Sequence, residues 1–278
     1  MKTMLRVGLQ ALLPALVLAG AALAQAPASA LSSPSACRQL VASGNPQYPP
    51  YLWRAAEGED RLVGANADML AWLSKELGLP IEARYVGPWG RVQEEMRAGR
   101  IDLIAGAFFT LARTEYMDYF HPTFHETRSI VLVRSGSRLD YRRWSDLVPL
   151  QGGTVIGNSF GEQFDRYARE KLKVTPVASL ERALQMLQRS RIDYLVYEDS
   201  PALAYLARLN IEGVRPLMRP AVASEPLYLT LSHRSACNTP ELRGRLARAM
   251  YTLARQGLMT GWIDRNIELW KSASPPPP

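Results

Sequence analysis

Ile101-Asp102-Leu103-Ile104-Ala105-Gly106-Ala107-Phe108-Phe109-Thr110-Leu111-Ala112-Arg113 is an apolar run that reaches a glycine, then a threonine and, three residues later, an arginine. Residues 101–105 read as a buried strand. Thr110 has the character of an N-cap, which puts Arg113 in the first turn of a helix. A cation there opposes the helix dipole instead of completing it. The placement makes sense when the guanidinium faces an anion from outside, such as a carboxylate held by its planar fork. The plain alternative is a surface arginine in a helical turn.

The chain on either side of this run alternates strands and helices. Leu40 to Ser43 begins a short strand, and Asn45 to Tyr51 reads as a loop. Glu57-Gly58-Glu59-Asp60 is a turn. From Asn66, Met69, Leu70, Leu73 and Leu77 share a helical face, and Gly78 and Pro80 stop it. Ile81 to Val86 alternates as a strand, and a helix follows the Gly87-Pro88-Trp89 loop to Arg97. This β-α-β-α-β order implies parallel strands with crossover helices. After a strand at Ser129 to Val133 a second series begins: strand 154–156, helix 162–172, strand 174–177, helix 180–188, strand 193–197 and helix 201–209. Leu227 to Leu231 is a strand able to return to the first half. Residues 241–256 and 260–266 read as helices.

With 278 residues, 47% of them hydrophobic, the chain can build one large core or two modest domains. Residues 1–24 read as a signal peptide. Lys2 and Arg6 form the positive region, an apolar stretch follows, and Ala22-Leu23-Ala24 offers cleavage after Ala24. Ala28-Ser29-Ala30 is a second site. Cys37 has Pro34 three residues before it, which argues against a lipid anchor. The chain is therefore expected in the periplasm. Removing Lys2 and Arg6 takes the formal net charge from +7 to +5, scattered without a long basic run, so nucleic acid is not an expected partner. Three histidines and two separated cysteines offer no metal-ligand spacing, and no cofactor is expected. In an oxidising compartment Cys37 and Cys237 allow one intramolecular pairing, or stand as two unrelated buried thiols.

Several local patterns, in order, resemble the polar amino-acid group of periplasmic solute-binding proteins of ABC transporters, the bacterial extracellular solute-binding family 3. Tyr48-Pro49-Pro50-Tyr51 is similar to that family's aromatic-rich first loop. Gly64 to Leu70 resembles the start of its first helix. Gly99-Arg100-Ile101-Asp102 followed by Gly106, Thr110 and Arg113 resembles the strand leading to its carboxylate-binding arginine. Tyr119-Phe120-His121-Pro122 stands where the family usually has Phe-Ser-x-Pro. Ile192 to Glu198 resembles the strand ending in its ammonium-binding acid. The likeness covers about residues 38–270. It implies an α/β, two-lobed periplasmic-binding-protein-like fold of type II, with two hinge strands and a ligand cleft between the lobes. Lobe 1 is expected at 38–132 plus 229–270, lobe 2 at 133–228, and a disordered tail at 271–278. That arrangement puts Cys37 and Cys237 on one lobe and implies their disulfide. It also implies a monomer that delivers a small amino acid-like ligand to ABC transporter permease subunits.

An amino-acid zwitterion needs a cation or oriented N–H groups for its carboxylate and an anion for its ammonium. The resemblance gives the first role to Arg113 and the second to Glu198, with Asp199 as the neighbouring rival. Gly157-Asn158-Ser159 lies between a strand and a helix, where free N–H groups of Asn158 and Ser159 can receive a carboxylate. Tyr48, Tyr51 and Trp89 can sandwich the ligand side chain. Trp53, Trp72 and Trp262 read as core or hinge packing. Gly106 and Phe108 stand near positions where many family members carry small hydroxyl residues. Glu198 has one methylene more than the aspartate common there, which narrows the pocket or moves the amine.

Two enzyme readings compete. Gly157-Asn158-Ser159-Phe160-Gly161 spells the Gly-x-Ser-x-Gly of a nucleophile elbow, and an aspartate and then His233 follow in hydrolase order. Exported dehydratases acting on prephenate or arogenate share the fold resemblance. Glu198 can serve such an enzyme as an acid, but no partner for it stands out. The reading favoured here has no catalytic residue.

Overall fold

Among the described residues the first element is β1 (Leu40–Ser43), in the bounds expected of it. The computed structural model describes residues 37–272, so the signal segment at 1–24, the Ala/Pro/Ser-rich stretch at 25–36 and residues 273–278 lie outside the described residues. Three short strands make a small antiparallel sheet: β2 (Gln47–Tyr48), inside the expected loop, and β3 (Leu52–Arg54) and β4 (Leu62–Val63), for which no element was expected. Then come α1 (Ala65–Leu77), β5 (Ile81–Ala83), α2 (Trp89–Ala98) and β6 (Leu103–Ala107). Helix α1 buries Met69, Leu70, Leu73 and Leu77, the face that its apolar spacing anticipated. β1 lies parallel to β5 on one side and to β6 on the other.

The helix expected from Thr110 is instead a single 3-10 turn over Arg113–Glu115. Its N-cap is Ala112, not Thr110, although Thr110 Oγ1 does accept from the Arg113 N–H at 3.2 Å. The turn stops because β7 (Met117–Tyr119) follows at once and pairs with a distant strand.

β8 (His125–Arg134) then leads into the second series. It consists of β9 (Gln151–Val155), α3 (Glu162–Lys171), β10 (Lys173–Val177), α4 (Leu180–Gln188), β11 (Tyr194–Glu198), α5 (Asp199–Arg208) and β12 (Val214–Leu217). Helix α5 starts two residues earlier than expected, since Pro201 sits in its first turn, where a missing N–H does no harm. The chain ends in β13 (Ala223–Ser232), α6 (Pro240–Gln256) and α7 (Leu258–Ser272). Helix α7 takes in Lys271 and Ser272, which were expected to be disordered, and Trp270 near its end is buried against Trp53 and Tyr205.

The main sheet runs β10-β9-β11-β8-β13-β6-β1-β5, so each half is a parallel three-stranded set and β8 and β13 join them. Both joining strands are ten residues long and antiparallel to each other over 125–129 and 223–227. Beyond that shared stretch β8 pairs with β11, and β13 turns to β6 and β7. The fold is thus two α/β lobes hung on two strands. Between Tyr228 and Leu229 the register with β6 slips, leaving Gly106 opposite no partner at φ 104°. That is a β-bulge at a glycine, and it bends the end of β6. A side chain at Gly106 would lie 2.9 Å from Asn66 Nδ2. Cys37 and Cys237 form a disulfide across 200 residues, which ties the start of the described chain to the loop after β13.

Candidate functional site

The bulged end of β6 delivers the loop 108–112 and then Arg113 to the seam between the lobes. Arg113 is 5% exposed although it carries a charge. Burial of an arginine requires that its fork be bonded. Nη1 donates to the Phe108 carbonyl at 2.9 Å, Nη2 to the Gly157 carbonyl at 3.0 Å and Nε to Gln93 Oε1 at 3.3 Å. All three acceptors are neutral. The guanidinium carbon also sits 5.4 Å from the centroid of the Trp89 ring. Trp89 opens α2, and its Nε1 donates to the same Gly157 carbonyl at 3.0 Å.

Gly157 begins the loop between β9 and α3, with φ at 80°. The N–H groups of this loop are not all open to a ligand. Asn158 N donates to Val155 O at 3.1 Å, Phe160 N to Asp165 Oδ1 at 2.9 Å and Gly161 N to Ser159 Oγ at 3.3 Å. Of the two N–H groups expected to face a carboxylate, Asn158 N is spent inside the loop, which leaves the Ser159 N–H. The Asn158 side chain does reach the cavity, and its buried Nδ2 has no partner among the described residues.

Glu198 ends β11 immediately before the first turn of α5 and is 4% exposed. Its Oε2 has no hydrogen-bond partner among the described residues. Burial pushes its pKa up to about 8; the Asp199 charge adds to the rise and the Arg113 charge opposes it. Asp199 is committed elsewhere. Its Oδ2 accepts from Arg128 Nη2 at 2.8 Å and Nε at 3.1 Å, and its Oδ1 accepts from Ser200 N at 2.7 Å.

One small cavity joins these groups. Tyr48, Trp89, Gly106, Phe108, Arg113, Asn158, Ser159 and Glu198 line it, together with Asn45 and Leu227. About 20 Å³ of it is open to the centre of a water-sized sphere, room on the order of a single ordered water. Tyr51 is the one expected residue that does not line it. Its hydroxyl lies 2.9 Å from His125 Nε2, and its ring packs 5.0 Å from Tyr48, so it backs the wall. Asn45 and Leu227 were not foreseen. Asn45 Nδ2 donates to the Tyr197 hydroxyl at 3.2 Å across the seam. Gln93 was not foreseen either, although it follows Trp89 by four residues on one helix and therefore shares its face.

The nucleophile-elbow geometry is missing its base. Ser159 Oγ donates to Asp165 Oδ2 at 2.5 Å, and His233 Nε2 lies 3.3 Å from Asp118 Oδ1. Asp165 thus fastens the loop to α3. Among the described residues no helix is long and apolar enough to cross a membrane.

Two lobes on two shared strands, with one cleft lined from both, define a two-lobed solute-binding architecture. Residues 40–266 match the bacterial extracellular solute-binding proteins, family 3, and the chain belongs to that family. It is 23% identical over 214 residues to the L-cystine-binding protein TcyA of Bacillus subtilis (strain 168), covering 77% of this chain and 75% of that one. It is similar in structure to AbpA of Streptococcus pneumoniae, an amino acid ABC transporter substrate-binding protein bound to L-arginine. The TM-score is 0.69 at 15% identity, with 85% of this chain and 97% of the other covered. A histidine kinase sensor domain with similarity to periplasmic binding proteins matches at TM-score 0.68 and 20% identity, over 86% and 98% of the two chains. At such identities the structures speak for the fold, and the chemistry of the cleft has to carry the function.

Proposed function

We propose that this protein captures an amino acid, or a related small zwitterion or carboxylate, between its lobes and delivers it to the permease subunits of an ABC importer. It does so as a monomer in the periplasm. The observation that carries this reading is the charge pattern of the cleft: a buried guanidinium held only by neutral acceptors faces the same cavity as a buried carboxyl oxygen without a partner. Arg113, with the Ser159 N–H, receives the ligand carboxylate. Glu198 receives the ammonium. Tyr48, Trp89 and Phe108 enclose the remainder.

The cavity is too small for an amino acid in the geometry described, so the walls must part to admit one. We place the moving bodies at 38–132 plus 229–270 and at 133–228, with β8 and β13 as the hinge strands. Closure is then favoured when the ligand bridges charges on opposite walls. A thermal-shift screen of amino acids, opines and small carboxylates tests the reading, because a ligand that binds only the native state raises apparent stability by mass action. A compound carrying both carboxylate and amine should raise the midpoint. Small-angle scattering at saturation should then show compaction relative to the protein alone. A complete screen with no stabilising compound would count against solute capture.

A further inference from the structure

One carbonyl in the seam is unusually crowded. Gly157 O, on the second lobe, accepts from Trp89 Nε1 at 3.0 Å, from Arg113 Nη2 at 3.0 Å and from Gln93 Nε2 at 3.1 Å. All three donors come from the first lobe. A carbonyl oxygen has two lone pairs, so the three donors share them, and losing any one loosens the hold of the first lobe on this oxygen. Gln93 differs from the other two because it has a second task. Its Oε1 accepts from Arg113 Nε at 3.3 Å. The side-chain amide is therefore wedged between the guanidinium and the opposite lobe, and it offers each the group that each needs.

We infer that Gln93 is a positioning residue that couples the orientation of Arg113 to lobe closure, its amide oxygen holding Nε and its amide N–H engaging the Gly157 carbonyl. The inference rests on Arg113 being the anion site. The Arg113 bond to Gly157 O is the exchangeable one. When a carboxylate oxygen takes Nη2, Trp89 and Gln93 still satisfy both lone pairs and the seam stays shut. Gln93 Oε1 meanwhile keeps the fork from turning away with the ligand. When the lobes part, Gly157 O moves off, the Gln93 amide loses one of its two anchors, and Arg113 loses the stop that aims it. Gly157 itself fits this role. A Cβ there would lie 2.5 Å from Gln93 Nε2 and would occupy the space the amide uses.

The test needs no ligand. Spin labels at Glu76→Cys on α1 and Glu170→Cys on α3, with the native disulfide kept oxidised, report the distance between lobes by double electron–electron resonance. The Arg113 Nε–H signal in ¹⁵N-labelled protein reports the bond to Gln93. Gln93→Leu keeps the volume and loses both bonds. It should cut the short-distance population roughly fivefold, the effect of one hydrogen bond between neutral groups, and release the Nε–H to solvent exchange. Gln93→Glu can still accept from Arg113 but cannot donate to Gly157 O. It should keep the Nε–H protected and lose the short distance, a split that mere helix damage does not produce. Gly157→Ala, with Gln93 intact, should also lose the short distance. A wild-type distance distribution in Gln93→Leu, or equal Nε–H protection in all the proteins, would overturn the coupling. A failed ligand screen would instead remove solute capture and leave these two signals standing.

Discussion

Arg113 on one wall of the cleft and Glu198 on the other are almost equally buried, yet their partners differ in kind. Three of the guanidinium's five N–H donors go to two carbonyls and an amide oxygen, none of which carries charge. The carboxyl keeps one oxygen unpaired, and its pKa is raised to about 8. Neutral acceptors hold a cation without neutralising it, so Arg113 is poised as a permanent charge. An unpaired buried acid responds by keeping its proton. One wall is a fixed charge and the other is a charge that forms when a cation arrives. The following substitutions separate these two behaviours.

The largest effect belongs to the fixed charge. Arg113→Ala leaves a ligand carboxylate buried and unpaired, at roughly 2–5 kcal/mol. At about 1.4 kcal/mol per tenfold, binding weakens from roughly 30-fold to a few thousand-fold. The fold should persist, because Phe108 O keeps the Tyr119 hydroxyl and Gly157 O keeps Trp89 Nε1 and Gln93 Nε2 as donors. Calorimetry with the best compound from the screen reads the loss, and circular dichroism reads the fold. Wild-type affinity in this variant would break the contrast, since Arg113 would then be a structural tie between lobes and nothing more.

The second effect is a pH dependence. Glu198 has a folded pKa of about 8 against an ordinary 4.5. Between those values the native state binds a proton that the unfolded chain has released. Stability is therefore highest below the ordinary value and declines as pH rises toward 8, by at most about 1.4 kcal/mol per pH unit. Glu198→Gln should lack this component, so the gap between the two melting curves should widen from pH 5 to pH 8 in favour of the variant. A ligand ammonium reverses the preference and drives the proton off. Near pH 7, calorimetry in buffers of different ionisation enthalpy should find proton release on binding an amino acid and none for a carboxylate lacking the amine. A constant gap between the melting curves would mean that Glu198 is charged in the cleft at all times.

The legibility of these two walls in the sequence was unequal, for physical reasons. β1 and α4 appear in the expected bounds because their signals are local: a short apolar run, and an apolar face capped by Ser179, whose side chain accepts from Arg182 N. β2, β3, β4, β7 and β12 are two to four residues long, too short for a period to show. The outer parts of β8 and β13 exist as strands because they pair with each other, and that pairing is tertiary. Arg113 was legible from the break it makes in a strand-to-turn pattern. Glu198 and Asp199 could not be separated by position. Asp199 is taken by Arg128, 71 residues away, and no local pattern foretells that pair. Tyr51 failed as a lining residue for a similar reason: its hydroxyl finds His125 on a hinge strand.

Asp199→Asn sharpens the comparison by disarming the neighbouring acid. Its ion pair with Arg128 is partly exposed, with side-chain exposures of 43% for the arginine and 15% for the aspartate. Such pairs contribute about 1 kcal/mol or less, and the favourable position at the start of α5 adds a similar small amount, roughly 0.3–1 kcal/mol. The variant should melt slightly lower and bind an amine ligand nearly as well as wild type. Loss of amine binding here, with none in Glu198→Gln, would move the ammonium site one residue along the chain.

The smallest effect is expected at Ser159, and it bears on whether the second lobe supplies chemistry or only a floor. The serine hydroxyl donates to Asp165 Oδ2 at 2.5 Å and accepts from Gly161 N at 3.3 Å, so both its roles are internal to the loop. Removing one such hydrogen bond costs about 1 kcal/mol. Asp165 Oδ1 would still accept from Phe160 N and hold the loop on α3. Ser159→Ala should therefore lower the melting midpoint a little and change ligand affinity by less than about threefold, since the substitution leaves the backbone N–H proposed to receive the carboxylate unaltered. Ester substrates should turn over no faster with wild type than with the variant. If Ser159→Ala instead abolishes a robust esterase activity, then Asp165 must release the hydroxyl in solution and a base must approach it. The glycine-flanked loop would then belong to an enzyme, and the walls of this cleft would have to be reread as the binding half of its active site.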